Sequence, residues 1–183
     1  MRNVLTFLLL LFSLLCNGQS PKLFTTDKEL SSSLINQIYQ DRNGFIWIAT
    51  EDGLNRYDGA KFTIYKHEPN NEHSLAHNFV RTVFEDSKGH LLIGTYIGIQ
   101  MYDPATDNFT PLAKLEDTGE TLESNINSFI ERKNGEIWVS GNVLCKLDIK
   151  DQLLTVRKVD IAVTSPGSLF EDKKQNVWMA KGE

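Results

Sequence analysis

The feature that most limits what this chain can fold into is that it repeats itself. Residues 35–50 read INQIYQDRNGFIWIAT and residues 80–95 read VRTVFEDSKGHLLIGT, a position-for-position match without a gap. A third copy, INSFIERKNGEIWVSG, occupies residues 126–141, and residues 169–180, LFEDKKQNVWMA, form a recognisable fourth. With Trp47, Leu92, Trp138 and Trp178 taken as equivalent, the steps are 45, 46 and 40 residues. A period of this size marks one supersecondary unit that recurs and buries its apolar faces only against its neighbours.

Each unit holds two short apolar runs separated by a tight turn. In Asp41-Arg-Asn-Gly44 and Asp86-Ser-Lys-Gly89 the aspartate can accept from amides ahead of it and the glycine tolerates positive φ, so each pair of runs reads as a β-hairpin. A second turn and third strand follow, with Gly53, Leu54, Tyr57 and Asp58 in the first unit and Gly98, Ile99, Tyr102 and Asp103 in the second. The third unit shortens this to Asn142–Asp148, and fourth strands are expected at Lys61–Tyr65, Asn108–Thr110 and Leu153–Val156. Apolar runs of four to six residues are too short for an α-solenoid. Four-stranded antiparallel units stacked radially make an all-β fold, a β-propeller, with units near 34–67, 79–114, 125–159 and 168–183. Polar connectors such as His67–Ser74 would carry the chain from one blade to the next.

Met1–Ser20 has a different character. Arg2 precedes an apolar run, Val4–Leu15, which is shorter than the roughly 20 residues that span a bilayer as a helix. Residues 1–18 are therefore expected to be a cleaved signal peptide, with Gln19 as the new N-terminus and the periplasm as destination. Acylation of Cys16 in a lipoprotein is the competing reading, disfavoured because Leu15 is bulky where that signal wants a small residue. Only Cys145 then remains, and it reads as a small apolar strand residue. A net charge of −5 with acids and bases interspersed offers no basic stripe for a phosphate backbone. Nucleic acid is not an expected partner.

At these residues the chain resembles the two-component regulator propeller repeat. Asp41, Gly44, Trp47, Thr50, Gly53, Leu54, Tyr57 and Asp58 fit that pattern throughout, and Pro69–Leu75 is similar to the linker that precedes such repeats. The resemblance implies a periplasmic sensor region of a hybrid two-component histidine kinase, a seven-bladed ring, and glycan breakdown products as ligands. It also implies that 19–183 is an incomplete propeller, three blades and part of a fourth, whose remaining blades, membrane helix and kinase lie elsewhere. Lys22–Thr25, similar to the outermost strands, is expected to complete the blade that closes the ring. Leu92 in place of tryptophan, Arg132 in place of aspartate and Gln175 in place of glycine lead us to expect less regular turns in the third and fourth units.

The repeat positions Asp41, Gly44, Trp47, Gly53, Tyr57, Asp86, Gly89, Leu92, Gly98, Tyr102, Gly135, Trp138 and Trp178 are read as structural. Catalytic groups break a repeat's symmetry, whereas turn and packing groups obey it. The tryptophans are accordingly read as packing between blades rather than as a sugar platform, and the aspartates as turn residues rather than calcium ligands or a catalytic pair. His67, His73 and His77 lie close together, but Pro69-Asn-Asn argues for a loop, and no carboxylate or cysteine completes a zinc set of predictable geometry. No nucleophile elbow, zinc-helix or phosphate-loop motif is present. The expectation is a non-enzymatic sensor module without cofactor, its ligand-binding residues not assigned. The alternatives are a fragment of a secreted lyase-like propeller enzyme or a gene remnant.

Overall fold

The computed structural model describes residues 21–26, 29–161 and 165–181; the expected signal peptide lies outside them. These residues form fifteen strands. β1 (Ile35–Gln40), β2 (Ile46–Thr50), β3 (Gly53–Tyr57) and β4 (Phe62–Tyr65) make the first sheet, joined in that order and antiparallel throughout. β5 (Val80–Glu85), β6 (Leu91–Thr95), β7 (Ile99–Asp103) and β8 (Asn108–Phe109) repeat the plan. β9 (Lys114–Leu115) lies in the next connector. β10 (Ser128–Glu131), β11 (Ile137–Ser140), β12 (Leu144–Lys150) and β13 (Leu153–Lys158) form the third sheet, and β14 (Pro166–Glu171) pairs with β15 (Val177–Lys181).

The sheets stack in chain order as propeller blades. β1 packs against β5, β5 against β10 and β10 against β14, so the first strands converge at a hub while the later strands fan outward. Among the described residues no pairing joins the last sheet to the first, so the stack is open. Alternation along each strand sends one set of side chains to each neighbour. Trp47, Ala49 and Leu54 of the first blade meet Val83, Leu91 and Ile93 of the second in one core. Leu92, Ile99 and Met101 of the second meet Phe129, Ile137 and Val139 of the third in the next. Each of the valine, leucine, isoleucine, phenylalanine and methionine side chains, once fully buried, contributes about 1.5–3 kcal/mol.

Polar contacts repeat with the same step. The Arg42 amide donates to Glu85 at 2.8 Å and the Ser87 amide to Glu131 at 2.6 Å. At the third junction the Arg132 guanidinium reaches Glu171 instead, at 3.3 Å. From the second blade onward, a carboxylate at the end of the first strand thus fastens the turn of the blade before it.

Two segments lie outside the four-strand plan. The connector after the second blade pairs, through β9, in parallel with β13 and covers the outer edge of the third blade, where unpaired backbone would otherwise face water. Lys22–Thr25 has no ladder partner among the described residues, where the last blade, which it is expected to complete, consists of β14 and β15 alone. Phe24 instead packs on Tyr57 and Phe62, with ring centroids 5.1 and 4.9 Å away. Tyr65 of the first blade makes the same pair of contacts on Tyr102 and Phe109 of the second, at 6.1 and 5.3 Å.

Candidate functional site

The residues that recur are spent on structure. Asp41 accepts the amides of Asn43 and Phe45 through Oδ1, at 2.9 and 3.0 Å, and the Trp47 indole through Oδ2. Asp86 repeats the amide bonds with Lys88 and His90. Gly44, Gly89 and Gly135 all have positive φ and donate back to the residue that opens the turn. The irregularity expected of the third and fourth turns is not found. Gln175 adopts φ 67° and donates to Asp172 as the glycines do, and Asn134 Oδ1 accepts the Glu136 amide where the turn aspartate is missing.

One compensating position explains how the departures are accommodated. Where Leu92 replaces tryptophan, His90 Nδ1 meets the freed Asp86 Oδ2 at 2.7 Å. Where Arg132 replaces aspartate, Glu136 accepts the Trp138 indole at 3.1 Å, and Arg132 lies over the Trp138 ring. In the fourth unit Asp172 takes both the Asn176 amide and the Trp178 indole. His90, Glu136 and Asn176 occupy the same repeat position as Phe45.

The other singled-out residues are likewise committed. A side chain at Gly53 would meet the Tyr65 carbonyl oxygen at 2.9 Å. Tyr57 donates to the Gly59 carbonyl, and Tyr102, Tyr65 and Arg56 converge on Asp107, whose carboxyl their hydrogen bonds and charge hold below the usual range. Gly98 sits in the turn between β6 and β7. The imidazoles of His67, His73 and His77 each engage backbone, at Leu75, Phe109 and Phe79. Burial pushes the Cys145 thiol up to about 11.

The candidate site is therefore sought where symmetry breaks. The turns after the second strands and the connectors between blades share one face of the stack. There a hollow of about 680 Å³ is lined by Tyr96, Leu112, Thr121, Glu123, Asn125 and Asn142 among others. Asn125 and Asn142 also line an adjoining groove of about 430 Å³ with Arg81, Asn127, Ser165 and Ser168. Tyr96 is 54% exposed and stands beside His77 and Phe79, at 5.6 and 6.1 Å between centroids. Its repeat equivalents are Glu51 and Asn142, so no packing rule demands an aromatic ring here. The arrangement offers a ring wall and, next to it, several amide and hydroxyl groups. Sequence reasoning singled out none of these residues, because they lie off the repeat consensus; the one available signal was an aromatic at a turn position that is polar in the neighbouring units.

Residues 29–52 and 74–96 match the family described as two component regulator propeller. Over 83 residues, 42% of the chain, the sequence is 39% identical to a histidine kinase of Formosa agariphila, of which this stretch covers 6%. The extracellular domain of a protein described as a hybrid two component system of B. thetaiotaomicron superposes with a TM-score of 0.66 at 21% identity. That match covers 85% of this chain and 21% of that one. Virginiamycin B lyase from Staphylococcus aureus superposes at 0.59 with 14% identity, covering 81% of this chain and 49% of the lyase. At such identities the structural likeness shows the fold alone. The chain thus spans a small part of the kinase and about a fifth of that extracellular domain.

Proposed function

Because the chain carries two-component regulator propeller repeats, we propose that it is a ligand-sensing propeller module of a hybrid two-component sensor, working in the periplasm on a glycan-derived oligosaccharide. The observation that carries this reading is the exposed Tyr96 ring beside the amides of Asn125 and Asn142 on one face of the blades. A pyranose presents an apolar C–H face and a rim of hydroxyls. The ring wall receives the first and the amides receive the second, Asn142 as donor and acceptor and Asn125, whose Oδ1 is buried, as donor alone. The module does no chemistry itself. The aspartates that could have formed a catalytic pair are engaged in turns and in bonds within their own blade, as Asp41 is with Trp47 and Asp52 with Lys66.

Binding becomes a signal only if the ligand prefers one arrangement of this propeller and its neighbours. A shift from one-in-a-hundred to ninety-nine-in-a-hundred occupancy of the signalling arrangement requires about a 10⁴-fold difference in affinity between the two. The remaining blades, the kinase and the membrane anchor are partners supplied by the longer protein in this reading.

The test is a titration of the tethered chain with a panel of oligosaccharides. Replacement of Tyr96 by Ala is expected to weaken the responding sugar by roughly tenfold, the scale of one lost aromatic contact. Binding unchanged in that variant would remove this face as the site.

A further inference from the structure

We infer that the oligosaccharide bound here carries an anionic group, a carboxylate or a sulfate, which pairs with Arg81; the inference rests on the oligosaccharide reading of this face. Five arginines lie among the described residues. Arg42, Arg56, Arg132 and Arg157 each meet a carboxylate, at Glu85, Asp107, Glu171 and Glu116. Arg81 has none among the described residues. One Nη1–H is used on Asn127 Oδ1 at 2.7 Å, the guanidinium lies 5.6 Å from the centre of the Phe79 ring, and the buried Nε–H has no partner.

The fold does not call for a cation at this position. The repeat equivalents are Asn36 and Asn127, whose amides donate to the next blade's backbone at Val80 and Pro166. An amide therefore suffices to bridge the blades, and the guanidinium of Arg81 is surplus to that task. Arg81 sits on a register shift between Val80 and Thr82, the same bulge that Asn36 occupies in the first blade, and a bulge of this kind re-aims the side chain placed on it. It aims Arg81 into the groove, whose other walls are neutral amides and hydroxyls. With Nε buried and one Nη1–H on Asn127, the remaining Nη hydrogens are the donors left for the oxygens of a carboxylate or sulfate. With a net charge of −5 on the chain, an anion is held by this local guanidinium and not drawn by the general field.

The test tethers the chain sparsely on a biosensor surface, which keeps copies apart, and compares trigalacturonic acid, a sulfated neocarrabiose and neutral galactotriose. We expect one of the two anionic probes to bind at least about tenfold tighter than the neutral one, with an advantage that shrinks as salt is raised. The preferred anion identifies the group. Arg81→Gln retains an amide donor for Asn127 and is expected to weaken the anionic probe by roughly ten- to a hundredfold, with the neutral sugar unchanged. If that variant melts early, the salt dependence of the unaltered chain decides. Equal, salt-independent binding of charged and neutral probes overturns the inference and leaves the oligosaccharide reading standing. Binding of none of the three overturns both.

Discussion

Trp47 donates its indole hydrogen to Oδ2 of Asp41 across 2.8 Å, and both side chains are buried between the first two blades. The bond ties the first hairpin turn to the second strand, so the tryptophan is both an apolar filler and a donor. Two costs of substitution follow, and they are separable. Trp47→Ala should cost about 3–5 kcal/mol in a denaturant titration, the range for emptying a large buried site. Trp47→Leu keeps much of the volume but leaves a buried carboxylate oxygen unmet, a penalty of about 1–3 kcal/mol. The second unit already contains the remedy in His90 with Leu92. Phe45→His combined with Trp47→Leu should therefore recover at least about 1 kcal/mol relative to Trp47→Leu alone. No recovery would mean that the oxygen finds water instead.

Acid should loosen the blades in a defined window. Hydrogen bonds from Lys146, Asn134 and Trp138 hold Glu136 at about 2, below its ordinary 4.5. Those from Asn176, Trp178 and backbone amides hold Asp172 at about 2, below 3.8. A carboxyl depressed in the folded state contributes stability that is fully present above its unfolded value and is lost as pH falls through its folded one. Melting temperature should be level above about pH 5 and fall between about pH 4.5 and 2, and Glu136→Gln should flatten part of that slope. A fall that begins above pH 6 would point to other groups.

Cys145 should be inert to thiol reagents at neutral pH while the chain is folded. It is buried, and burial pushes its thiol up to about 11, which leaves little of the thiolate that reacts. Mass spectrometry after brief exposure to iodoacetamide should find it unmodified, and modified once denaturant is added.

The blade plan was legible in the sequence because turns and alternating apolar runs are local, and a repeat states them several times. What was not legible depends on neighbours. The pairing of Lys114–Leu115 with Thr155 and Val156 joins segments that carry no shared pattern, so nothing local announces it. The seating of Phe24 on Tyr57 and Phe62 is decided by what covers the first blade, and the strand-like sequence of Lys22–Thr25 could not settle it. Tyr96 and Arg81 escaped for a related reason. A repeat draws attention to what recurs, whereas groups that meet a ligand are those that one unit has and the others lack.

The two ends of the stack should make the isolated chain associate. Ile38 is 62% exposed, while its equivalents Val83 and Phe129 are 1% and 7% exposed beneath the preceding blade. Trp178 is likewise 62% exposed, while Trp47 and Leu92 are fully covered by the following one. Uncovered apolar faces of this kind favour contact with other chains. Sedimentation at micromolar concentration should show oligomers, and the pair Ile38→Lys and Trp178→Lys should shift them toward monomer. A monomeric unaltered chain would show that these faces find cover within one copy.

The most direct measurement is hydrogen exchange on the tethered or soluble chain with and without the tightest-binding oligosaccharide from the panel. Added protection is expected in the turn at Thr95–Gly98, in the connector at Thr121–Asn127 and in the turn at Gly141–Val143. No change is expected in the turns at Asp41–Gly44 and Asp86–Gly89 on the opposite face. Protection centred on those hairpin turns, or none anywhere at saturating sugar, would contradict the oligosaccharide reading.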